Sequence, residues 1–539
     1  MDHVHVDGSA VPIDDDATLL DLLRRAGRTG VKDGCSPQGQ CGCCTVLVDG
    51  APRVACVTPA RRVVGREVVT FDGLDDEVRA RWTAAVLATG ASQCGFCTPG
   101  IVVRLEGARR AGRDLADRTV TDRALAAHLC RCTGWATLEE AAALVADGTP
   151  VALRSADELD AAGRRASLEL GAPQHTGADV VAGRAGFSVD TAPAGCLVAV
   201  PDPSWSAEDV TDPAGWVVAG SAAEARARAG KVQGRRSTLS TGPPIELPAG
   251  DWAVTLRTSW VDPAYLETDA SWCEPGGDPS SPAANGGAFG GKRHSPVPAA
   301  ARRLADHHGR PVLALWSRED AVRLGAKRPP VAGGVRADGT GVLRVARTEG
   351  VAAAVAAVAP GLVVEEVDLP GPPTSIAVRA AGWAEAVVLL AGAGASSPAV
   401  AVAPDGAVTV TPPGRGAATV RIAEDGTVEV RVDPGDPLDG VTLRSYCIGA
   451  VHMALGWVGS ESLSVDPEGV VHDLTVRSFG VLRAADMPRV VVTVTDGGAS
   501  PAEPRAVADA VFAATAAARW RSLGTPTDWP TGPPPARGV

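Results

Sequence analysis

Nine of the chain's twelve cysteines fall between Cys35 and Cys132, in two groups of four with one left over. The first group consists of Cys35, Cys41, Cys44 and Cys56, and the second consists of Cys94, Cys97, Cys130 and Cys132. Short spacings with small residues between them allow the backbone to wrap a cluster, and four thiolates are what each 2Fe-2S centre requires. The spacing therefore predicts two 2Fe-2S centres.

Structural zinc and disulfide bonds are the other common uses of such cysteines. A structural zinc site normally pairs two Cys-x2-Cys units, whereas the closing elements here are the single Cys56 and the Cys-x-Cys of Cys130 and Cys132. Disulfides need an exported protein, and the start of the chain has neither a basic region nor an apolar core of a signal peptide. Both are therefore disfavoured, and we expect a reducing, cytoplasmic location.

Four segments around these cysteines resemble the iron-sulfur subunit of the molybdenum hydroxylases, the xanthine dehydrogenase and aldehyde oxidase family. The segments are Gly34-Cys35, Cys41 to Gly50, Gln93 to Gly100 and Cys130 to Trp135. The chain departs from the family by one extra residue between Cys35 and Cys41, and by Cys43, where the family usually has Ala. Either Cys43 or Cys44 could then be a ligand. We expect Cys44, because it keeps the Cys-x2-Cys step from Cys41 and the spacing to Cys56.

Residues 1–75 show the pattern of a small mixed fold. Strands are expected at 3–6, 45–48 and 67–71, and a helix at 18–26. The Asp49-Gly50 pair predicts a hairpin turn. The resemblance implies a plant-type ferredoxin, or beta-grasp, domain that holds the first cysteine group.

Residues 76–150 change to helical spacing. The expected helices cover 78–87, 101–111, 122–129 and 138–146. Four short helices would form a bundle that carries the second cysteine group on its ends and loops.

The rest of the chain completes an α+β fold. Residues 151–176 are predicted to be a linker whose helix, 156–170, is too polar at both ends to be a core element. Residues 177–330 and 331–523 resemble two parts of a shortened α+β molybdopterin-binding region. Residues 524–539, rich in Pro and Gly, are expected to form a loose tail.

A glycine-rich loop, Asn285 to Lys292, precedes a predicted helix over 298–307 and a strand that ends in Ser-Arg-Glu. In the family this loop approaches the molybdenum of a molybdopterin. The resemblance therefore implies five cofactor-binding residues, which are Gln93, Gly286, Gly287, Phe289 and Gly290. A plain tight turn is the alternative. A phosphate-binding loop is disfavoured because Arg293 stands where Ser or Thr must bind magnesium.

The family's catalytic base lies in a Gly-x-Gly-Glu sequence that should precede the last helix. The chain has no such sequence between Asp496 and Pro504, and the family's middle cofactor-binding sequences are not recognisable in 331–440. The catalytic residue is therefore unknown. The candidates are Glu503, a carboxylate near the expected position but at a different offset, and Glu267, which lies in a segment that resembles the family.

Charge and hydropathy exclude two classes of partner. A formal net charge of -12 argues against a nucleic-acid binder, because phosphate affinity requires an excess of Lys and Arg. The longest uncharged stretch, 386–404, is interrupted by Gly, Ser and Pro and is a poor membrane span. We expect neither a nucleic acid nor a membrane as a partner.

The resemblance implies an iron-sulfur oxidoreductase in which an aldehyde or N-heterocycle is hydroxylated at a molybdopterin site. Electrons would pass through the second cluster and then the first to a flavin-containing subunit or a soluble acceptor, because the chain has no flavin domain. The alternative is an electron-transfer or assembly subunit whose molybdenum half is degenerate and non-catalytic. The sequence does not identify the small-molecule substrate, and it leaves a homo-oligomer open.

Overall fold

The computed structural model describes residues 2–13, 17–203, 211–230, 239–495 and 502–532. The described residues form an α+β structure with four mixed sheets. Residues 496–501, part of the stretch in which the family's Gly-x-Gly-Glu sequence is expected, lie outside them.

The first domain is a five-stranded sheet with one helix against it. Its elements are β1 His3–Val6, β2 Ser9–Pro12, α1 Leu19–Arg25, β3 Thr45–Val48, β4 Ala51–Val54 and β5 Glu67–Val69. The strand order is β2-β1-β5-β3-β4, with β1 and β5 parallel and the other pairs antiparallel. Asp49 and Gly50 both have positive φ at the β3–β4 turn, as the hairpin requires. The predicted beta-grasp arrangement is confirmed.

Four helices follow, as predicted, and flank the second cysteine group. They are α2 Asp76–Thr89, α3 Thr98–Arg110, α4 Arg118–Leu125 and α5 Ala136–Asp147. The predicted bounds of α4 were wrong by four residues at each end. The Asp117 side chain accepts a hydrogen bond from the Thr119 amide and starts the helix early, and the chain leaves the helix after Leu125 to reach Cys130.

The helix predicted in the linker, α6 Ala156–Leu170, has the expected bounds, but it packs as a core element. Ala162 and Ala166 are buried, and Arg165 is buried in an ion pair with Glu169. Glu169 also accepts hydrogen bonds from the amides that begin the last helix of the chain. The two buried charged residues of α6, Arg165 and Glu169, pair with each other, so the prediction of a peripheral helix was wrong.

Residues 177–330 contain a four-stranded sheet flanked by helices. The elements are α7 Ala178–Val181, α8 Ser188–Thr191, β6 Leu197–Pro201, β7 Trp216–Ala219, α9 Ala222–Arg228, β8 Val254–Arg257, β9 Ala270–Cys273, α10 Val297–His308, β10 Val312–Leu315 and α11 Arg318–Leu324. The sheet order is β7-β6-β10-β9. The glycine-rich loop lies between β9 and α10, in the predicted order of loop, helix and strand.

The remaining elements build two further sheets and the longest helix. They are β11 Val331–Val335, β12 Gly341–Ala346, α12 Val351–Ala356, β13 Leu362–Val367, α13 Trp383–Ala393, β14 Val400–Val402, β15 Val408–Val410, β16 Ala417–Ile422, β17 Val428–Asp433, α14 Gly440–Gly459, β18 Val490–Val494 and α15 Ala508–Ser522. The sheets have the orders β13-β12-β11-β8 and β14-β15-β16-β17-β18. Because β11 pairs with β8, the chain on the two sides of residue 330 shares one sheet.

Helices α14 and α15 pack through aromatic residues in the C-terminal core. Trp457 stacks on Phe512 with ring centroids 5.2 Å apart, and Trp529 meets Trp457 edge-on at 4.7 Å. Trp529 is buried, and its amide donates to the carbonyl of Arg257. The prediction of a loose tail was therefore wrong for residues 524–532, because a tryptophan anchors them. Residues 533–539 lie outside the described part of the chain.

Candidate metal centres

The first cysteine group closes around the loop that follows α1. Cys35, Cys41, Cys44 and Cys56 are all buried. The thiol of Cys35 is hydrogen-bonded to those of Cys41 and Cys56, and Cys56 is hydrogen-bonded to Cys44. The bond from Cys41, with that from Cys56, lowers the pKa of Cys35 well below its usual range. The structure thus brings the four predicted ligands together.

Backbone amides point at the sulfur atoms of this loop. The amide of Gln38 donates to the Cys35 Sγ at 3.0 Å, and the amide of Cys56 donates to the Cys44 Sγ at 3.4 Å. Amide donors stabilise negative charge on thiolates and on an iron-sulfur cluster. The loop therefore supplies both the thiolates and part of the polar surroundings that a cluster needs.

The second group lies where α3 begins and where α5 begins. The Sγ atoms of Cys94 and Cys132 are 3.6 Å apart, and Cys97 is hydrogen-bonded to Cys130. The bond from Cys97 outweighs burial and, with one from Thr133, lowers the pKa of Cys130 to about 6. Cys97 caps α3, so the helix dipole favours negative charge there. Two pairs of thiols match a cluster in which each iron takes two.

The ninth cysteine, Cys43, lies between the two groups. Its thiol is hydrogen-bonded to Cys41, and the electrostatic interactions of its thiol reach Cys44 in its own group and Cys130 in the other. Cys44, by contrast, contacts Cys56. The contact with Cys56 supports Cys44 as the ligand, so our choice between Cys43 and Cys44 stays a prediction with this support.

Direct contacts hold the two groups against each other. The amide of Leu129 donates to the carbonyl of Cys41 at 3.0 Å, and Thr45 is hydrogen-bonded to the His128 ring at 3.0 Å. A Cβ on Gly100 would lie 2.6 Å from the carbonyl oxygen of Gly42, so only glycine allows α3 to approach this closely. Two clusters held here would be neighbours.

Gln93 connects the second group to the C-terminal region. Its side-chain amide donates to the carbonyl of Cys132 at 3.0 Å and to the Ser445 Oγ, on α14, at 2.9 Å. The side chain is therefore bound within the protein. Its predicted contact with a molybdopterin stays a prediction.

The glycine-rich loop packs directly on the second group. A Cβ on Gly287, which has φ +80°, would lie 2.9 Å from the Cys94 Cβ and 3.0 Å from its Sγ. A Cβ on Gly290 would lie 1.6 Å from the carbonyl oxygen of Ala377, and one on Gly286 would lie 2.2 Å from the Gln174 side chain. Phe289 is buried beneath the guanidinium of Arg379. The loop thus contacts the second group directly, and its glycines face protein atoms; the predicted contact of the loop with a molybdopterin stays a prediction.

The space between this loop and the second group decides whether a molybdopterin fits. The cavity there, lined by Cys94, Cys132, Gly286 and Gly287 among others, holds about 10 Å³. A single water molecule needs about that volume. A tricyclic pterin has no room, so the residues as they are arranged do not fit molybdopterin.

The two catalytic candidates have different surroundings. Glu267 lies beside this cavity, where its Oε2 pairs with the buried Lys292 at 2.8 Å and its Oε1 is buried without a hydrogen-bond partner. Burial raises the pKa of Glu267, although Lys292 opposes this. Glu503 is exposed on the segment before α15. The structure thus brings Glu267 to the predicted site and gives Glu503 no buried position.

Two buried arginines beside the cysteine groups were missed from the sequence. Arg131, between two cysteines of the second group, forms a two-pronged ion pair with Glu461 at 2.6 Å for each contact. Arg318 donates to the carbonyls of Gly34 and Leu266 at 2.7 and 2.8 Å. The position of Arg131 within the Cys-x-Cys segment was a signal, but nothing in the sequence named Glu461 as its partner.

No group of three or more His, Cys, Asp or Glu side chains in the described ranges converges to hold a single metal ion. No described helix combines the length and hydropathy that a membrane span needs.

Comparison with known families agrees with both cysteine groups. The family described as 2Fe-2S iron-sulfur cluster binding domain matches residues 4–61. The family described as 2Fe-2S binding domain matches residues 70–143. The chain therefore contains two 2Fe-2S-binding domains.

Among curated proteins, the nicotinate dehydrogenase small FeS subunit of Eubacterium barkeri is 38% identical over 125 residues, which are 23% of this chain and 78% of that protein. The xanthine dehydrogenase iron-sulfur-binding subunit of Escherichia coli is 40% identical over 120 residues, 22% of this chain and 74% of that protein. This chain belongs to the molybdenum hydroxylase family. It is an iron-sulfur oxidoreductase of the molybdenum hydroxylase type.

A longer relative and a solved structure extend the comparison. The aldehyde oxidoreductase of Megalodesulfovibrio gigas is 41% identical over 134 residues, which are 24% of this chain but only 15% of that protein. The solved aldehyde oxidoreductase of Desulfovibrio gigas superposes with a TM-score of 0.66 and 16% identity, covering 97% of each chain. The molybdenum hydroxylase fold therefore continues beyond the iron-sulfur domains, and at this identity the match shows the fold alone.

Proposed function

We propose that this chain is an electron-transfer subunit that passes electrons between its two 2Fe-2S clusters, and that its C-terminal two-thirds is a scaffold for the clusters. The observation that supports this most directly is the closed space of about 10 Å³ between the glycine-rich loop and Cys94. The loop that would approach molybdenum lies against the cluster cysteine itself, as the contact between Gly287 and Cys94 shows.

The proposed ligands are the eight cysteines of the two groups. Cys35, Cys41, Cys44 and Cys56 would hold one cluster in a ferredoxin-like domain of residues 1–75, and Cys94, Cys97, Cys130 and Cys132 the other in a helical domain of residues 76–150. A bound 2Fe-2S cluster supplies one-electron chemistry. The protein's part is to orient the thiolates, to aim amides at them and to keep both groups adjacent.

The scaffold would set the environment of the clusters. Gln93, Arg131 and Gly34 are each tied to residues far along the chain, namely Ser445, Glu461 and Arg318. Burial and hydrogen bonds near the sulfur atoms tune the potentials of iron-sulfur clusters. A scaffold that excludes water and orders these bonds would therefore fix the potentials.

We propose that the chain works with a partner. Two relatives of which the chain covers 78% and 74% are named as a small FeS subunit and an iron-sulfur-binding subunit, so a larger assembly is the natural context. A flavin-containing subunit or a soluble acceptor would exchange electrons with the clusters. We place the chain in a reducing cytoplasm, where the cysteines stay available as thiolates.

The second candidate is a complete hydroxylase acting on an aldehyde or N-heterocycle. It is favoured by the glycine-rich loop sequence from Asn285 to Lys292, which resembles that of the family, and by the buried Glu267 near the second group. It requires the loop to move away from Cys94. It also requires a general base, which is worth about a hundred- to ten-thousand-fold in rate.

Reductive titration of the purified full-length chain tests the proposal. Anaerobic dithionite should deliver about two electrons per chain, one for each cluster, and ferricyanide should recover them. Aldehydes and N-heterocycles should give no turnover with artificial acceptors. Steady oxidation of such a substrate, lost on Glu267→Gln but kept by Glu503→Gln, would instead establish the hydroxylase.

A further inference from the structure

A separate cavity of about 190 Å³ opens beside the clusters. It lies between α1 with the segment after it on one side, and α8 with α9 on the other. Its walls include Leu20, Val189 and Leu315. Exposed residues at the start of α9, Ser221 and Ala223, mark its mouth.

Two aromatic rings form the inner wall. Phe96 and Phe187 are buried and meet edge to face, with centroids 5.2 Å apart. The buried Lys32 ammonium lies 4.7 Å from the centre of the Phe187 ring. The two rings give the wall an apolar surface, against which a further aromatic ring can pack edge to face or offset-stacked.

The charged groups around the cavity balance one another. The described lining residues carry four carboxylates and four cationic side chains, so their formal charges sum to zero. Arg24 pairs with Asp190 at 2.6 Å, and Arg226 pairs with Asp33 at 3.1 Å. A balanced, internally paired lining favours a neutral ligand over an ionic one.

Three buried polar atoms of the lining residues make no hydrogen bond. Two of them, Asp33 Oδ1 and Arg226 Nε, belong to the ion pair between these residues, and the third is Glu267 Oε1. Glu267 lines this cavity as well as the small space beside Cys94. Its side chain is 8% exposed, and its Oε1 makes no hydrogen bond although it is buried. A buried acceptor without a donor is costly, so an N–H or O–H group of a ligand would satisfy it.

The Phe96 ring connects the cavity with the cysteine groups. Phe96 lies between Cys94 and Cys97 in the chain and lines the cavity. A Cβ at Gly34 would lie 3.2 Å from the Phe96 ring and 3.1 Å from the Cys41 Sγ. A molecule in the cavity would therefore be close to both cluster domains.

We propose that this cavity binds a neutral, monocyclic quinone and its hydroquinone, and that the clusters exchange electrons with them there. The inference rests on the proposed electron-transfer function and adds a site and a chemical class of acceptor. A dry cavity of about 150 Å³ binds benzene, so about 190 Å³ suits one substituted ring. Hydroquinone offers the O–H donor that Glu267 Oε1 lacks.

The electron transfer from the clusters to the quinone balances in electrons and protons without a further reagent. Two reduced clusters each give up one electron, and the quinone ring accepts both. Its two C=O bonds become C–O single bonds, and its oxygens take two protons from water at the cavity mouth. One of the new O–H groups donates to Glu267 Oε1.

Reoxidation of the dithionite-reduced full-length chain by duroquinone tests this. Duroquinone is fully substituted and does not alkylate thiols. The observed rate of reoxidation should saturate as the duroquinone concentration rises. The unreactive analogue 2,3,5,6-tetramethylphenol, which keeps an O–H donor, should compete with it, and durene, which lacks the donor, should compete less. Neither tetramethylphenol nor durene should slow reoxidation by ferricyanide.

A matched pair of variants on α9 locates the site. Ala223→Trp places an indole at the mouth of the cavity. It should slow reoxidation by duroquinone at least about tenfold and leave the rate of reoxidation by ferricyanide unchanged. Ala227→Trp, also exposed on α9 but outside the cavity lining, should behave as the wild type. If Ala223→Trp loses its cluster spectrum, competition by tetramethylphenol in the wild type decides the question.

The outcomes separate the two proposals. A chain without clusters contradicts the electron-transfer function. A chain that ferricyanide reoxidises, but whose duroquinone rate is linear and insensitive to tetramethylphenol and to Ala223→Trp, keeps that function and overturns the quinone site. Electrons would then leave elsewhere, for example past Val57, which is 50% exposed and follows Cys56.

Discussion

Arg131 and Glu461, 330 residues apart, form a buried two-pronged ion pair in which both contacts are 2.6 Å. Their side chains are 5% and 1% exposed. Because Arg131 stands between Cys130 and Cys132, the pair joins the second cluster's ligand segment to the residues that follow α14. It is a buried, charged link between the cluster domains and the scaffold.

Removing one partner should therefore cost more than removing a surface charge. Glu461→Gln leaves the buried guanidinium uncompensated and should lower the free energy of unfolding by about 3–5 kcal/mol. Anaerobic urea denaturation measures this. Asp368→Asn, which breaks the exposed pair with Arg347, is the control and should leave stability unchanged. Equal effects of the two changes would contradict a linking role for Arg131.

Gly287→Ala tests the contact between the glycine-rich loop and the second cluster. The new Cβ would lie 2.9 Å from the Cys94 Cβ, so we expect the paramagnetic signal of the second cluster to be lost or altered while the first is kept. Gly406→Ala is the control, because its φ of +83° is similar but nothing lies within 4 Å. Unaltered signals in Gly287→Ala would show that the loop stands away from Cys94.

Cys43→Ala and Cys44→Ala decide the fourth ligand of the first cluster. Because Cys44 contacts Cys56, we expect Cys44→Ala to remove the visible and paramagnetic signals of that cluster. Cys43→Ala should leave them nearly unchanged. The opposite pattern would assign the ligand to Cys43.

His452 should make stability depend on pH. Burial, with the charge of Arg131, lowers its pKa to about 3, whereas an unfolded histidine titrates near 6.5. Below about pH 6.5 the unfolded state therefore binds more protons than the folded state. The free energy of unfolding falls by about 1.4 kcal/mol per pH unit because of this group. Between pH 6.5 and 5, the free energy of unfolding of His452→Gln should fall by about 2 kcal/mol less than that of the wild type. The exposed His307→Gln should keep the wild-type slope.

Features set by short stretches of sequence were predictable. The spacing of Cys94 and Cys97 located a cluster, and the Asp49-Gly50 pair located a hairpin. The bounds of α6 were also correct, since its capping box from Ser155 to Glu158 is local.

Features set by distant packing were not predictable. Trp529 is buried because it reaches Trp457, and α6 joins the core because Glu169 binds the start of α15. The sequence placed the glycine-rich loop near a cofactor. Only the packing of Gly287 on Cys94, 193 positions earlier, showed that the space is closed.

The content of iron, sulfide, molybdenum and pterin tests the central claim most directly. The measurement uses full-length chain purified without oxygen from cells supplied with molybdate. We predict about four iron and four sulfide ions per chain, two of each per cluster, and neither molybdenum nor extractable pterin. One molybdenum and one pterin per chain would contradict the scaffold function and establish a hydroxylase whose glycine-rich loop opens to admit the cofactor.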